Sequence, residues 1–154
     1  MSQSEKIALF FLRVGMGWYL FHAGVVKILD PTWTSAGFLS HTQFGFFNAF
    51  LSPSVLPIVD FLNEWGLTLI GLSFIFGVAV RVSSVFGALL LMLYYFAHGF
   101  PRPDEHTYIV NMHVIFSLVL LYLGKINAGE IMGLSSWLKK LPIFSNCPRF
   151  REWL

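Results

Sequence analysis

Residues 7–29 read IALFFLRVGMGWYLFHAGVVKIL, and residues 55–80 read VLPIVDFLNEWGLTLIGLSFIFGVAV. Each stretch exceeds the roughly 20 apolar residues that cross a hydrocarbon layer about 30 Å thick as a helix. Both contain ionisable side chains, which are Arg13, His22, Lys27, Asp60 and Glu64. A charge in hydrocarbon costs about 2.5–3.5 kcal/mol on insertion scales, so such residues are expected to pair, to meet water or to take part in chemistry. The pattern predicts a polar cluster inside a membrane-embedded helical bundle.

The composition lies outside the usual range for soluble domains. Hydrophobic residues make up 56% of the chain and charged residues 12%, and the mean hydropathy is +0.68. In soluble domains about a quarter of residues are charged. Two further apolar stretches, at residues 82–100 and 107–126, bring the number of predicted spans to four. The sequence therefore predicts an all-α integral membrane protein, a four-transmembrane-helix bundle that forms a single domain over residues 1–154.

Three connecting segments complete this prediction. Residues 30–54 are rich in phenylalanine and contain neither Lys nor Arg, which predicts an outer loop with a short interfacial helix lying on the bundle as a lid. A tight turn around Arg81 is expected between the second and third spans. Residues 131–144 alternate apolar and basic side chains at helical spacing, which is typical of an amphipathic C-terminal segment at the cytoplasmic membrane surface.

The basic residues predict the orientation, because Lys and Arg near span ends remain on the cytoplasmic side. With four spans, one side carries Lys6, Arg81, Lys125, Lys139, Lys140, Arg149 and Arg151. The opposite side has only Arg102 outside the helices. We therefore expect a multi-pass protein of a prokaryotic cytoplasmic membrane with both termini cytoplasmic. The formal net charge of +2 then belongs to a rim that faces anionic lipid, and it does not indicate nucleic-acid binding.

Cysteine usage excludes one class of membrane redox protein. Thiol exchange with a quinone-linked partner needs a second sulfur to resolve the first, and this chain has only Cys147. Disulfide chemistry and iron–sulfur clusters held by this chain alone are thus excluded. The sequence shows no flavin, nicotinamide or metal motif, so electrons are expected to pass directly or through a partner.

A rise of 1.5 Å per residue places most polar residues of the spans in the outer half of the bundle. These residues are His22, Lys27, Asp60, Asn63, Glu64, Asn111 and His113. Arg13 enters from the inner side, and we predict an ion pair between Arg13 and Glu64, either direct or through one water. Lys27 is the expected partner of Asp30 or Asp60. A charge pair that only fixes helix register is the alternative to a catalytic pair.

The histidines leave several roles open. His22 and His113 lie at similar depth on different helices, which suits haem ligation between facing helices. They are also candidate metal ligands together with Glu64, although no H-x-x-x-H or E-x-x-H spacing is present. A third role is hydrogen bonding or proton relay beside a quinone, and a fourth is that of a satisfied structural histidine.

A series of segments in chain order closely resembles the DoxX/DoxD-like family of small membrane proteins. The most specific segments are G-x-x-K-x-x-D-P at Gly24–Pro31 and N-E-W-G-L-x-L-I-G at Asn63–Gly71. Supporting segments are R-x-x-x-G at Arg13–Gly17, ALLLMLYYFAHGFP, YIVNMHVIF and GEIMGLSSWL. The resemblance covers nearly the whole chain and is closest to the DoxD branch, named for a subunit of thiosulfate:quinone oxidoreductase.

This resemblance implies a four-helix membrane subunit linked to oxidation of thiosulfate to tetrathionate, with electrons passing to a quinone. The residues that match the family pattern are Arg13, Lys27, Asn63, Glu64 and His113. One segment departs from it: where relatives commonly have D-E-H, this chain has Asn111, Met112 and His113. Two carboxylates that would accept protons are therefore missing from this helix.

The leading hypothesis is a membrane subunit of a quinone-linked redox system, with thiosulfate as the electron donor and quinone as the substrate. Its catalytic candidates are Glu64 and His113 as proton donors and Arg13 as the group that holds Glu64. Its substrate-binding candidates are Lys27, His22, Asp60, Asn63 and Asn111. The expected partners are the lipid bilayer, quinone, a second redox subunit and further copies of the chain.

A second hypothesis is a non-catalytic membrane subunit or small-molecule carrier, whose buried charges lock the bundle. A third hypothesis, an ion-coupled transporter, requires oligomerisation because four spans enclose little space. Loss of the Arg13–Glu64 pair would lower assembly under the second hypothesis and turnover under the first.

Overall fold

The computed structural model describes residues 1–42, 44–97 and 109–140, and all regular secondary structure in these ranges is helical. The α-helices are α1 (Gln3–Leu29), α2 (Ala36–Leu39), α3 (Leu56–Phe76), α4 (Val80–Ala97), α5 (Met112–Lys125) and α6 (Ser135–Leu138). Two 3₁₀ helices lie at Gly45–Leu51 and Ala128–Glu130. The predicted all-helical class is confirmed.

Three of the described helices, α1, α3 and α4, are long and apolar enough to cross a membrane. Helix α5 has 14 residues and therefore spans about 21 Å, which is less than the roughly 30 Å of a bilayer core. The outward faces carry large exposed apolar side chains such as Phe11, Phe86 and Leu118. Helices that are apolar on all faces are typical of a membrane environment.

Capping residues set the helix boundaries. The Ser2 side chain accepts from the backbone N–H of Glu5, whose carboxylate accepts from the N–H of Ser2. This capping box starts α1 at Gln3, four residues earlier than the apolar pattern predicts. The Asn111 carboxamide oxygen caps α5 by accepting from the N–H groups of His113 and Val114, so residues 109–111 of the predicted 107–126 helix are not helical.

The turn between α3 and α4 differs from the prediction. It occupies residues 77–79, and Arg81 lies inside the first turn of α4 instead of forming the turn. Gly77 ends α3 because it adopts the left-handed conformation, with a φ of 69°, which glycine tolerates without a Cβ clash. A charged residue alone does not end a helix.

The two segments predicted outside the spans are also corrected in detail. Residues 30–54 contain α2 and a 3₁₀ helix where one short helix was expected. They pack on each other and on the end of α4 through Leu39, Phe47 and Ala97. Of the predicted amphipathic segment at residues 131–144, only the single-turn helix α6 is present in the described part, and residues 141–144 lie outside it.

Glycines bring the helices together in two pairs. Helices α1 and α3 run antiparallel and in close contact, because a Cβ atom at Gly17 would lie 2.8 Å from the Ile75 backbone nitrogen and one at Gly24 would lie 2.6 Å from that of Thr68. Gly87 and Gly124 allow the same closeness between α4 and α5, where added Cβ atoms would meet Leu120 and Ser84. Small residues at such contacts are typical of membrane helix packing.

The bundle therefore has two ends with different residues. At one end α1 begins, α3 and α5 finish and α4 begins; this is called the Arg13 end. At the opposite end α1 finishes, α3 begins and α4 finishes against residues 30–54; this is called the Lys27 end. The 14 residues from Arg13 to Lys27 separate the two ends by about 21 Å.

Candidate functional site

A triangle of hydrogen bonds joins three helices at the Lys27 end. The Lys27 ammonium group donates to the carboxamide oxygen of Asn63 at 2.8 Å and to the hydroxyl of Tyr94 at 3.1 Å. The Tyr94 hydroxyl donates to the same Asn63 oxygen. Lys27 lies on α1, Asn63 on α3 and Tyr94 on α4. This set of three residues is called the Lys27 triangle.

Aromatic rings surround the charge of Lys27. The Lys27 nitrogen lies 4.8 Å from the centre of the Trp33 ring and 5.2 Å from that of Tyr94, distances at which a cation is attracted by the ring face. The ring of His113 lies on another side of Tyr94, at 6.0 Å between ring centres. The predicted convergence of Lys27, Asn63 and His113 at one end of the bundle is therefore observed.

No carboxylate within the described ranges is paired with Lys27, which corrects the predicted partners Asp30 and Asp60. Asp30 instead accepts from the backbone and side chain of Thr32, and these hydrogen bonds hold the pKa of Asp30 below its ordinary value. In the ranges that the structure covers, the one ion pair within 4 Å joins Lys139 to Glu130. The Asn63 amide oxygen and the Tyr94 hydroxyl oxygen accept from two of the three N–H donors of the Lys27 ammonium group.

An apolar cavity of about 230 Å³ lies beside the triangle, and Asn63 and Tyr94 form part of its wall. The remaining wall is apolar and comes from α3, α4 and residues 30–54: Phe38, Leu39, Phe47, Phe50, Val59, Leu62, Leu90, Leu93 and Ala97. An apolar cavity of about 150 Å³ binds benzene, so this one admits a substituted single ring. It is called the Asn63 cavity.

Asp60 holds the outer wall of this cavity in place. Its carboxylate accepts from the Thr34 hydroxyl at 2.8 Å, from the Ser35 backbone N–H at 2.8 Å and from the Ser35 hydroxyl. Ser35 immediately precedes α2, which supplies Phe38 and Leu39 to the wall. Asp60 is thus a positioning residue for the lid predicted in residues 30–54, and it makes no direct contact with the Lys27 triangle.

Glu64 lies next to Asn63 on α3 and is half-buried. Its negative charge acts favourably on Lys27, although no ion pair is formed. Among the described residues its carboxylate accepts no hydrogen bond, while its backbone carbonyl accepts from Thr68. Glu64 therefore lies close to the triangle without belonging to it.

Arg13 occupies a different site at the other end of the bundle. Its side chain is 1% exposed, and its guanidinium group donates to the carbonyl oxygens of Ala128 at 3.2 Å and Met132 at 3.3 Å. It also packs against Gly77 and Gly133, where an added Cβ would collide with it. A cation is favoured there because α3 and α5 both end nearby and direct the negative ends of their dipoles towards it.

The predicted ion pair between Arg13 and Glu64 is therefore wrong. Gly24 of α1 contacts the backbone of Glu64, and eleven residues separate Gly24 from Arg13. That number of residues corresponds to about 16 Å along the helix axis, which no side chain bridges. The prediction placed Arg13 too near the middle of the bundle, because α1 runs antiparallel to α3 with Arg13 level with Gly77.

Two other candidates have local roles. His22 is exposed on α1, with its ring 6.3 Å from that of Trp18, so it does not join the buried part of the cluster. The Asn111 side-chain oxygen is engaged in the cap of α5 at 3.0 Å from the His113 nitrogen. Neither residue lines the Asn63 cavity.

Sequence reasoning missed Tyr94 and Trp33 as members of the site. Both are aromatic residues of a kind that membrane proteins commonly place at interfaces and in cores, but Tyr94 lies at the centre of the hydrogen bonds and the Trp33 ring contacts the Lys27 ammonium group. The available signal was position: α4 runs from the Arg13 end, so a tyrosine near its finish reaches the depth of Lys27. Hydropathy alone does not distinguish such a tyrosine from one at the lipid surface.

Metal and haem ligation are two of the roles left open for the histidines. Within residues 1–42, 44–97 and 109–140 no group of three His, Cys, Asp or Glu side chains lies close enough to hold a metal ion. His22 is exposed whereas His113 packs on Tyr94, an arrangement that does not present the two rings as a buried axial pair.

Comparisons with protein-family models, curated proteins and solved structures find no match to this chain.

Proposed function

We propose that this chain is the membrane subunit of a quinone-linked redox system and that the Asn63 cavity binds the quinone ring. The observation that carries the proposal is an apolar, ring-sized cavity whose two polar wall residues, Asn63 and Tyr94, are both hydrogen-bonded to the Lys27 ammonium group. Ligand sites are typically apolar pockets with a few polar groups that fix the orientation of the ligand. The resemblance to the DoxX/DoxD-like family supports the same class of substrate.

The polar groups suit a quinone carbonyl oxygen. An ammonium group has three N–H donors, of which Asn63 and Tyr94 receive two. The Asn63 amide nitrogen makes no hydrogen bond to a described residue, and this side chain lines the cavity. The Asn63 amide group is thus left to bind a carbonyl oxygen in the cavity, and the Lys27 charge behind Asn63 and Tyr94 would stabilise the negative charge that forms when the ring is reduced.

The proposed reaction takes two electrons and two protons into the quinone. Two thiosulfate ions supply the electrons by joining their outer sulfur atoms to form tetrathionate, and the quinone becomes a quinol. Glu64 and His113 are the proposed proton donors, because both lie beside the Lys27 triangle. Arg13 is not part of this chemistry, since it lies about 16 Å from Glu64 along α1. The electrons travel directly or through a second redox subunit.

The proposal includes a four-helix membrane topology with α5 as the fourth span. Helix α5 packs on α4 through Gly87 and Gly124 and is apolar along its length. Lys6, Arg81, Lys125, Lys139 and Lys140 all belong to the Arg13 end. Because basic residues remain cytoplasmic, we assign both termini to the cytoplasm and the Asn63 cavity to the outer half of a prokaryotic cytoplasmic membrane.

A second function is favoured by the way in which Lys27 connects three helices. Each partner of Lys27 belongs to a different helix, so the triangle also acts as a cross-link within the bundle. A non-catalytic subunit or a carrier of small lipophilic molecules would use the same cavity without electron transfer. Both functions predict that the Asn63 cavity binds a ligand, but only the redox subunit would reduce that ligand.

The test uses the purified chain in lipid nanodiscs. Binding of a short-chain benzoquinone is measured as ligand retained per protein, with empty nanodiscs as the background, and thiosulfate-dependent reduction is followed by absorbance. The variant is Tyr94→Phe, which removes one hydroxyl from the triangle; the matched control is Tyr122→Phe, since Tyr122 is exposed on α5. A lost hydrogen bond of this kind costs about 1 kcal/mol, so we expect roughly fivefold weaker binding in Tyr94→Phe alone.

The outcomes separate the two functions. Binding with reduction supports the redox subunit, and binding without reduction, also after addition of membrane extract as a source of the second subunit, supports the carrier. The proposal is wrong if the wild type retains no more benzoquinone than empty nanodiscs do. It is also wrong if Tyr94→Phe and Tyr122→Phe both bind benzoquinone as tightly as the wild type does, because the Asn63 cavity is then not the ligand site.

A further inference from the structure

An apolar groove runs between α3 and α4 below the Asn63 cavity. Its upper section, of about 400 Å³, passes Leu62, Gly66 and Leu69 on α3. Its lower section, of about 500 Å³, continues past Leu69 to Phe76 near the Arg13 end. The two sections share Leu69 and Ser83, so they form one continuous depression, called the α3–α4 groove.

The groove is continuous with the cavity. Leu62, Leu90 and Leu93 line both the Asn63 cavity and the upper section of the groove. From Leu62 to Phe76 the groove follows 14 residues of α3, which is about 21 Å. It therefore passes the middle of a hydrocarbon layer about 30 Å thick.

The sequence leaves this groove open. Glycines close the α1–α3 and α4–α5 contacts, where an added Cβ would fall within 3.0 Å of a neighbour. Gly66 has the opposite environment, because a Cβ at this position would meet nothing within 4 Å. Glycine therefore permits close packing within the α1–α3 and α4–α5 pairs, whereas Gly66 leaves open space on the side of α3 that faces α4.

We propose that the α3–α4 groove holds the single long hydrocarbon tail of the ligand whose ring occupies the Asn63 cavity. This inference rests on the proposed function and specifies its substrate class: a quinone with one extended tail. A groove parallel to two helices fits one elongated chain, and its upper end opens at the ring site. Because lipid is as apolar as the tail, the gain comes from close contact with the groove walls and is modest.

The experiment fills the groove with a side chain. Gly66→Leu places a leucine in the open space, and Gly15→Leu is the matched control, since a Cβ at Gly15 also meets nothing within 4 Å but lies on the exposed face of α1. Each variant in nanodiscs is titrated with a tail-less benzoquinone and with the same ring carrying a long isoprenoid tail. Ligand concentrations are expressed per lipid, and the ratio between the two variants removes the effect of membrane partitioning.

We expect Gly66→Leu to bind the long-tailed quinone about tenfold more weakly than Gly15→Leu does, and the tail-less ring with nearly unchanged affinity. Equal affinities of both variants for the long-tailed ligand would overturn the inference and assign the groove to bulk lipid. A change in the number of chains per nanodisc in Gly66→Leu alone would assign the groove to a second copy. If the tail-less ring fails to bind the wild type, the proposed function itself fails.

Discussion

Arg13 and Lys27 are two basic residues of the same helix in contrasting environments. Among the residues that the structure describes, Arg13 donates to backbone carbonyls, those of Ala128 and Met132, and it is 1% exposed. In the same part of the chain, Lys27 donates to side chains, and those side chains border a cavity. A cation bound to backbone fixes the path of the chain, whereas a cation held by side chains beside a cavity is available to a ligand. The comparison supports a structural role for Arg13 and, under the proposed function, a ligand-binding role for the site around Lys27.

The backbone around Arg13 supports this division. Ala79, Asn127 and Met132 all have a positive φ between 51° and 52°, a conformation that is costly for residues with a Cβ. They lie in the turn after α3 and in the segment after α5, next to the Arg13 guanidinium group. The hydrogen bonds of Arg13 offset part of that cost.

The largest expected effect is the loss of stability in Arg13→Met. The change removes the hydrogen bonds to the carbonyl oxygens of Ala128 and Met132 and the packing of the guanidinium group, although the Ala128 oxygen keeps its bond from the Ile131 N–H. We expect the free energy of unfolding to fall by about 3 kcal/mol. Titration with SDS measures this change. Arg81→Met is the control, since Arg81 is exposed, and it is expected to unfold like the wild type.

Quinone binding by the Arg13→Met variant tests whether the role of Arg13 is structural and separate from that of Lys27. Protein that remains folded after Arg13→Met should retain benzoquinone with nearly wild-type affinity, because the Asn63 cavity lies at the other end. A variant with normal stability and abolished binding would reverse the role given to Arg13.

The next effect is a loss of binding in Lys27→Met. Hydrogen bonds to a charged group contribute about 1.5 kcal/mol or more, so we expect at least roughly tenfold weaker benzoquinone binding. Stability to SDS should stay within about 1 kcal/mol of the wild type, because removing a buried charge compensates for the lost hydrogen bonds. Lys6→Met, an exposed lysine on the same helix, is the control. Collapse of the fold with unchanged binding per folded molecule would make Lys27 the structural cation.

The sequence predicted the Lys27 end better than the Arg13 end, for a physical reason. Depth along a helix follows from residue counting, and this counting brought Lys27, Asn63 and His113 to one level. Which residue of one helix faces which residue of the next depends on close contacts, such as Gly24 on Thr68, that hydropathy does not reveal. The predicted Arg13–Glu64 pair was therefore wrong because the register between α1 and α3 brings Arg13 level with Gly77 and far from Glu64.

A smaller effect is expected from Asp60→Ala, which tests the wall of the cavity. Loss of the three hydrogen bonds to Thr34 and Ser35 frees α2 to move, so benzoquinone should bind about threefold more weakly, mainly through faster release. Stopped-flow dissociation measures the change. Glu130→Ala, which removes a carboxylate at the other end of the bundle, is the control, and equal release rates in the two variants would exclude Asp60 as a positioning residue.

The smallest effect concerns Asp30, which turns the chain from α1 towards Trp33. Hydrogen bonds from the side chain and backbone of Thr32 lower the pKa of Asp30 in the folded protein. A lowered folded pKa gives stability that is present above the unfolded pKa of about 3.9 and is lost as the pH falls through the folded pKa. Between about pH 5 and pH 3, the melting temperature of the wild type should therefore fall slightly more than that of Asp30→Asn. An identical acid dependence of the two proteins would contradict the role of Thr32.

Residues 30–54 show where sequence reasoning ends. Their phenylalanines and the absence of basic residues predicted a lid on the bundle, and Phe38 and Phe47 do line the cavity. The residue that fixes the lid, Asp60, was assigned to substrate binding, because its partners Thr34 and Ser35 are distant in sequence and have no distinctive pattern. Tyr94 was missed for the same reason: its role comes from three helices meeting at one place.

Photolabelling tests the central claim most directly. A photoreactive short-tailed benzoquinone is bound to the protein in nanodiscs and illuminated, and the labelled residues are identified by mass spectrometry. The claim predicts labels on residues of the Asn63 cavity, such as Phe38, Leu62 and Leu93, that disappear when excess unlabelled quinone is added. Labels confined to lipid-facing residues such as Phe11 and Phe86, and insensitive to that competition, would contradict it.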